Sequence, residues 1–163
     1  MRLQQGYSLV EVLVALVIVK IGLLGILAGQ TLALRNVIDA TQRTLAVALT
    51  NELINTIYSN QQLIPLMSGR LTTGIELSTP SPCSSVISCD PSELAQFQRF
   101  TWYQQWATPS KSSLIDPEFC LSSTSTGITM FVSWQQRLAN HEPMAEACAL
   151  ASGRSGFTVG GAE

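Results

Sequence analysis

The 163-residue sequence contains few charged side chains. Asp, Glu, Lys and Arg make up 12% of the residues and the formal net charge is −2, so a basic surface that binds nucleic acid is not expected. The sequence also lacks a phosphate-binding loop, a serine-centred nucleophile elbow and a dinucleotide-binding fingerprint. Because these motifs are absent, we predict neither an enzymatic activity nor a bound cofactor.

Histidine is almost absent from the chain. The single histidine, His141, lies in a polar segment, where a lone histidine is usually a surface residue. A nucleophile pair of His141 and Cys148 is conceivable, but Cys148 is better explained as half of a disulfide. A zinc site would need ligands at closer spacings than the four cysteines provide. We therefore predict no metal site and no catalytic residue.

All four cysteines follow the apolar N-terminal segment, at Cys83, Cys89, Cys120 and Cys148. An even number of cysteines outside a membrane anchor predicts two disulfides and an oxidising compartment such as the periplasm. The sequence alone allows three pairings. We favour Cys83–Cys89 and Cys120–Cys148, because the first two cysteines are close in sequence and flank a turn-rich stretch.

A long apolar segment extends from about Tyr7 to Leu34. It is long enough to cross a membrane as a helix, since a span needs roughly 20 apolar residues. Glu11 and Lys20 are the charged residues within it, and each is costly to place in hydrocarbon. Along one helix the two are too far apart for direct contact, so Lys20 either extends towards the membrane surface or contacts a polar group of a neighbouring subunit.

The residues that lead into this segment form a specific motif. A short polar leader, residues 1–6, ends in Gly6; the aromatic Tyr7 follows, and Glu11 is the fifth residue after the leader. This arrangement resembles the class III signal of type IV prepilins and pseudopilins. The resemblance implies that a prepilin peptidase cleaves between Gly6 and Tyr7 and methylates the new amino group of Tyr7. It also implies that Glu11 sets the register of the filament by pairing with the N-terminal amine of a neighbouring subunit.

The helix is expected to continue beyond the apolar segment. Residues 35–58 contain neither proline nor glycine, and apolar residues recur there near helical spacing. These residues are Ile38, Leu45, Leu49, Leu53 and Ile57. The sequence therefore predicts an amphipathic helix to about Asn60, with Pro65 and Gly69 marking the exit from it.

Further elements are predicted in the second half of the chain. Asp90 is a suitable N-cap, with Pro91 at the first helical position and Glu93 two residues later, so a helix is expected from here to about Pro109. Its aromatic residues are expected to pack in a core more often than to form a ligand platform. The alternating residues 128–134 predict a strand, residues 157–159 predict a final edge strand, and residues 71–77 predict a short strand or loop.

The pattern downstream of the leader narrows the resemblance. Over about residues 1–137 the chain resembles the minor pilins called type IV pilus modification protein PilV, whereas residues 138–163 depart from that pattern. The matching motifs are Gly22-Leu23-Leu24-Gly25, Cys89-Asp90-Pro91, Leu94-Ala95, Phe97, Trp102, Cys120 and Val132-Ser133-Trp134-Gln135.

This resemblance implies a type IV pilin-like α+β fold, in which a long N-terminal helix packs on a small antiparallel sheet. The implied domains are a leader peptide (1–6), a transmembrane or filament-core helix (7–34), its amphipathic continuation (35–62) and a disulfide-containing periplasmic head (63–163).

The implied function is that of a minor pilin, which acts without catalysis in pilus assembly or initiation at or near the tip. Its partners would be the prepilin peptidase, and other minor pilins and the major pilin through the N-terminal helix. The protein would cross the bacterial inner membrane once, with its head in the periplasm, and enter the pilus after assembly. The alternatives are a minor pseudopilin of a type II secretion system and a membrane-tethered periplasmic binding module.

Overall fold

The computed structural model describes residues 8–80, 83, 89–108, 112–124, 127–136, 148–150 and 152–160. In chain order the elements are α1 (Leu9–Ser59), a 3-10 turn (Gln61–Leu66), β1 (Gly69–Thr72), α2 (Pro91–Trp106), β2 (Glu118–Ser123), β3 (Ile128–Gln135) and β4 (Arg154–Gly160). The chain divides into two compact units, Met1–Thr41 and Gln42–Glu163. The predicted α+β, pilin-like architecture is confirmed: a long N-terminal helix precedes a small antiparallel sheet.

Helix α1 is continuous from Leu9 to Ser59, close to the limits that the sequence predicts. Its residues up to Thr41 are exposed or partly exposed, whereas from Gln42 onwards it buries one side. The buried residues recur every three or four positions, which is the spacing of one helix face. They are Gln42, Ala46, Leu49, Thr50, Leu53, Ile54 and Ile57.

The end of α1 agrees with the sequence prediction to within one residue, and Pro65 and Gly69 lie in the elements that follow it. The helix ends at Ser59, and Asn60 accepts a hydrogen bond from the Gln62 backbone at the start of the 3-10 turn. Pro65 lies inside that turn, as the fifth of its six residues, where its lack of a backbone N–H removes one possible hydrogen bond of the turn. Gly69 is the first residue of β1 and has a φ of 124°, which a side chain would disfavour.

Helix α2 begins at the predicted position and ends at Trp106, before Pro109. The Glu93 carboxylate accepts a hydrogen bond from the Asp90 backbone N–H at 3.2 Å. Trp102 is buried and donates its indole N–H to the Leu49 carbonyl of α1 at 2.9 Å. The expectation that the aromatic residues of this helix pack in a core is confirmed for Trp102 and Trp106, which are 3% and 1% exposed.

The four strands form one antiparallel sheet in the order β1-β2-β3-β4. One row of paired residues, Leu71, Phe119, Val132 and Phe157, crosses all four strands. The first three are fully buried and belong to the same core as the buried face of α1 and the aromatic residues of α2. The head is therefore held together mainly by apolar burial between the two helices and one face of the sheet.

A chain of charged and polar side chains crosses the other face of the sheet. Arg70 Nε lies 2.5 Å from Glu118 Oε1, and Ser133 donates a hydrogen bond to Glu118 Oε2 at 3.2 Å. Arg154 donates to Ser133 Oγ at 3.1 Å and to Asp116 Oδ2 at 3.0 Å. Glu118 is completely buried, so these partners compensate the loss of its hydration.

Two disulfides brace the head. The first joins Cys83 to Cys89, and Cys89 lies just before α2. The second joins Cys120 of β2 to Cys148, which lies between β3 and β4 in the chain. The second disulfide therefore attaches the connection between β3 and β4 to the face of the sheet that carries Glu118.

We expect the substitution Phe119→Ala to lower the free energy of unfolding by about 3–5 kcal/mol, because it empties the space between Trp102 and Trp106. Denaturant unfolding of the full chain in detergent would measure the change. Ser122→Ala is the control, since Ser122 is exposed on the same strand. An equal effect of the two substitutions would contradict the assignment of Phe119 to the core.

The two disulfides are expected to stabilise the head unequally. Replacing both Cys120 and Cys148 by serine opens a loop of 28 residues, whereas replacing Cys83 and Cys89 opens one of 6. The chain-entropy model gives losses of about 3.6 and about 2.2 kcal/mol. Denaturant unfolding of the two double-serine variants would compare them, and a larger loss for the Cys83–Cys89 variant would contradict the prediction.

Candidate functional site in the N-terminal helix

The first part of α1 presents large apolar side chains on all sides. Leu9 is 75% exposed, Ile18 64% and Leu24 66%, and exposed apolar residues continue to Val37. A soluble monomer rarely exposes so much contiguous apolar surface. By length and composition, α1 qualifies as a membrane-spanning helix, and none of its most apolar window is buried within the chain. This surface is therefore suited to contact lipid or other apolar helices.

Glu11 lies in the first turn of α1, and its side chain is exposed. Its backbone N–H donates to the Ser8 carbonyl at 2.9 Å, which begins the helix. The unpaired N–H groups of a helix N-terminus favour a carboxylate at this position. Within the part of the chain that the structure describes, no cation forms an ion pair with Glu11, so its charge is available to a partner.

Lys20 is the second charged residue of the apolar segment, and it too is exposed. No salt bridge joins it to another described residue. Around the glycines that follow it, Gly22, Gly25 and Gly29, no atom of the described residues, apart from the adjoining residues of the helix, lies within 4 Å of the position that a Cβ would occupy. All these positions on α1 are accessible to a second helix.

Gly6 and Tyr7, the predicted cleavage and methylation positions, lie outside the described residues. The predicted disulfide cysteines lie in the unit after Thr41, whereas Glu11 lies in the unit that ends there.

A group of potential metal ligands occurs in the head. Glu118, Cys120 and Cys148 place their donor atoms within 4.8 Å of one another. However, the two sulfur atoms are joined in a disulfide, so neither is a thiolate, and Glu118 is paired with Arg70. This group is consequently better suited to a structural role than to metal binding.

A small cleft of about 170 Å³ lies beside α2 and is lined by Leu77, Ser78, Gln96, Arg99 and Phe100. Arg99 donates to the Ser68 carbonyl at 3.2 Å, while its Nε atom is buried without a hydrogen-bond partner. Burial lowers the pKa of Arg99 from its usual value, but an arginine remains a cation at physiological pH. The cleft is smaller than most small-molecule sites, so the N-terminal helix is the stronger candidate site.

Comparison with known protein families supports this choice. A family model described as the prokaryotic N-terminal methylation motif matches residues 1–27. The match supports a type IV pilin-like protein. No match was found among curated proteins or solved structures. The matched residues include residues 1–6, Glu11 and Lys20, and they continue into the exposed apolar part of α1.

The sequence alone indicates Glu11 and Lys20 but not the network of charged side chains in the head. Arg70, Glu118 and Arg154 are far apart in sequence, and only strand pairing brings them together. The sequence does carry a signal for the strand that holds Glu118. Phe119-Cys120-Leu121 follow Glu118 and form an apolar run, which is consistent with a buried strand.

Proposed function

We propose that this protein is a minor type IV pilin that acts without catalysis in assembly or initiation of the pilus. The observation that carries the proposal is the methylation motif at residues 1–27, which continues into a helix with an exposed apolar surface. The pilin-like α+β head that follows agrees with it. Such a helix can be stored in a membrane and transferred into a filament core, because both environments are apolar.

In this proposal, prepilin peptidase removes residues 1–6 and methylates the amino group of Tyr7. Gly6 has no side chain to obstruct the peptide bond, and the polar leader keeps that bond at the cytoplasmic surface. Glu11 then pairs with the N-terminal amine of a neighbouring subunit. In an apolar core the pair offsets the cost of burying both charges, whereas a misplaced subunit leaves a carboxylate unpaired.

The proposed organisation places residues 7–34 in the inner membrane or filament core and residues 35–62 in the continuation of the helix. The head, 63–163, lies in the periplasm, where the two disulfides are chemically favoured. Assignment to the PilV group and to the pilus tip rests on the sequence resemblance. The proposed neighbours are other minor pilins and the major pilin.

Two alternatives make different predictions. A minor pseudopilin of a type II secretion system would share the N-terminal motif, but the four cysteines favour the pilus. A membrane-tethered binding module would depend on the head, and the Arg99 cleft is the feature that favours it. Retention of binding by a chain whose N-terminal helix is removed would support the binding module, whereas dependence of pilus number on the whole protein would support assembly.

Intact mass and N-terminal sequencing would test processing. We expect the protein from membranes and from sheared surface filaments to begin at N-methylated Tyr7. A chain that begins at Met1 and is absent from filaments would contradict the proposal and favour a signal-anchored periplasmic protein.

The substitution Glu11→Val is expected to leave membrane insertion unchanged and to lower the amount of the protein in filaments by at least about tenfold, equivalent to 1.4 kcal/mol, because the neighbouring amine loses its partner. Immunoblots of membrane and filament fractions would measure both. Val12→Leu, an apolar exchange at the next position, is the control. Normal incorporation of the Glu11 variant would eliminate the role assigned to its carboxylate.

A further inference from the structure

Lys20 cannot lie outside the membrane if α1 crosses it. The stretch 9–19 before Lys20 and the stretch 21–34 after it are each shorter than the roughly 20 residues that a span requires. The span must therefore include Lys20, and an ionisable residue inside a membrane segment usually faces a partner. The structure offers it none within the described residues, because its side chain is exposed and forms no salt bridge there.

Glu11 and Lys20 lie on opposite sides of α1. They are nine residues apart, which is two and a half turns of an α-helix and about 13.5 Å along its axis. The two side chains of one helix therefore cannot contact each other. The helix instead presents an acid on one side and a base on the opposite side, at different positions along its axis. Two parallel copies pair these charges when one is displaced by nine residues along the axis.

We propose that Lys20 of one copy of this chain forms an ion pair with Glu11 of a second copy, staggered by nine residues. The inference rests on the proposed function, because it requires helices that pack side by side in an apolar environment. A second copy is the occupant that charge complementarity favours, since Glu11 is the one acid of the apolar segment 7–34.

This contact repeats instead of closing. In a pair of copies, the copy that contributes Glu11 still has an unpaired Lys20, and the copy that contributes Lys20 still has an unpaired Glu11. Each copy can therefore pair with a further copy. A heterologous contact of this kind produces an open helical assembly. It is compatible with pairing between Glu11 and the Tyr7 amine, because a carboxylate has two oxygens and can accept hydrogen bonds from two neighbours.

Disulfide cross-linking between two differently tagged full-length copies tests the stagger. One copy carries Ala15→Cys, four residues beyond Glu11 on its side of the helix, and the other carries Leu24→Cys, four residues beyond Lys20 on its side. The stagger of nine residues brings these positions together. The matched control is Leu27→Cys, which lies on the same side as Leu24 but almost one turn further along. We expect cross-linking of the Ala15 and Leu24 positions to exceed that of the control at least about fivefold.

Charge changes in the same membranes test the ion pair. Lys20→Glu in both copies leaves Glu11 in place but sets two acids opposite each other, and is expected to lower the cross-link at least about fivefold. Lys20→Arg, which keeps the positive charge, is expected to retain it. Equal cross-linking of the Leu24 and Leu27 positions would overturn the proposal, as would an undiminished cross-link in the Lys20→Glu variant. An unchanged cross-link in a Lys20→Gln variant would overturn it too, because the stagger would then not depend on the charge of Lys20.

N-terminal sequencing of the Ala15→Cys and Leu24→Cys chains, which keep Glu11 and Lys20, separates this inference from the proposed function. A chain that begins at Tyr7 but shows no staggered cross-link overturns the ion pair alone. A chain that keeps Met1 overturns the proposed processing.

Discussion

The structure depends on burial of one face of α1 after Gln42. Ala46, Leu53 and Ile57 are almost inaccessible to solvent and pack in the same core as α2 and the sheet. The hydrogen bond from Trp102 to the Leu49 carbonyl adds a polar contact between the two helices. Because this apolar face stabilises the head, the same helix can leave the large apolar side chains that precede it exposed, as Leu9, Ile18 and Leu24 are.

The two parts of the chain treat charge in different ways. In the head, buried charges are neutralised internally, since Glu118 contacts Arg70 and Arg154 contacts Asp116. In the N-terminal helix, Glu11 and Lys20 have no such ion pairs within the described residues. An unpaired charge is costly in an apolar environment. The ion pairs within the head therefore favour its folded state, whereas Glu11 and Lys20, which have no ion pair among the described residues, favour association of the N-terminal helix with other helices.

The sequence predicted the elements that have strong local signals. The limits of α1 and the start of α2 were correct, because apolar spacing and the Asp90-Pro91 start of α2 act over a few residues. Strands β3 and β4 were also found. Strand β2 was missed because Glu118 and Phe119 are both buried, on opposite faces, so the polar–apolar alternation of a half-exposed strand is absent. Strand β1 has only four residues, too few for a periodic signal.

By itself, the sequence determined the N-terminal methylation motif of residues 1–27, the apolar segment and the opposite placement of Glu11 and Lys20, because these depend on the order of residues within one short stretch of the chain. It allowed three disulfide pairings and gave no order for the strands. Tertiary structure alone decided that Leu71, Phe119 and Val132 form one row, and that Arg70 lies beside Glu118. The reason is that residues distant in sequence become neighbours only when the whole head buries its apolar surface together.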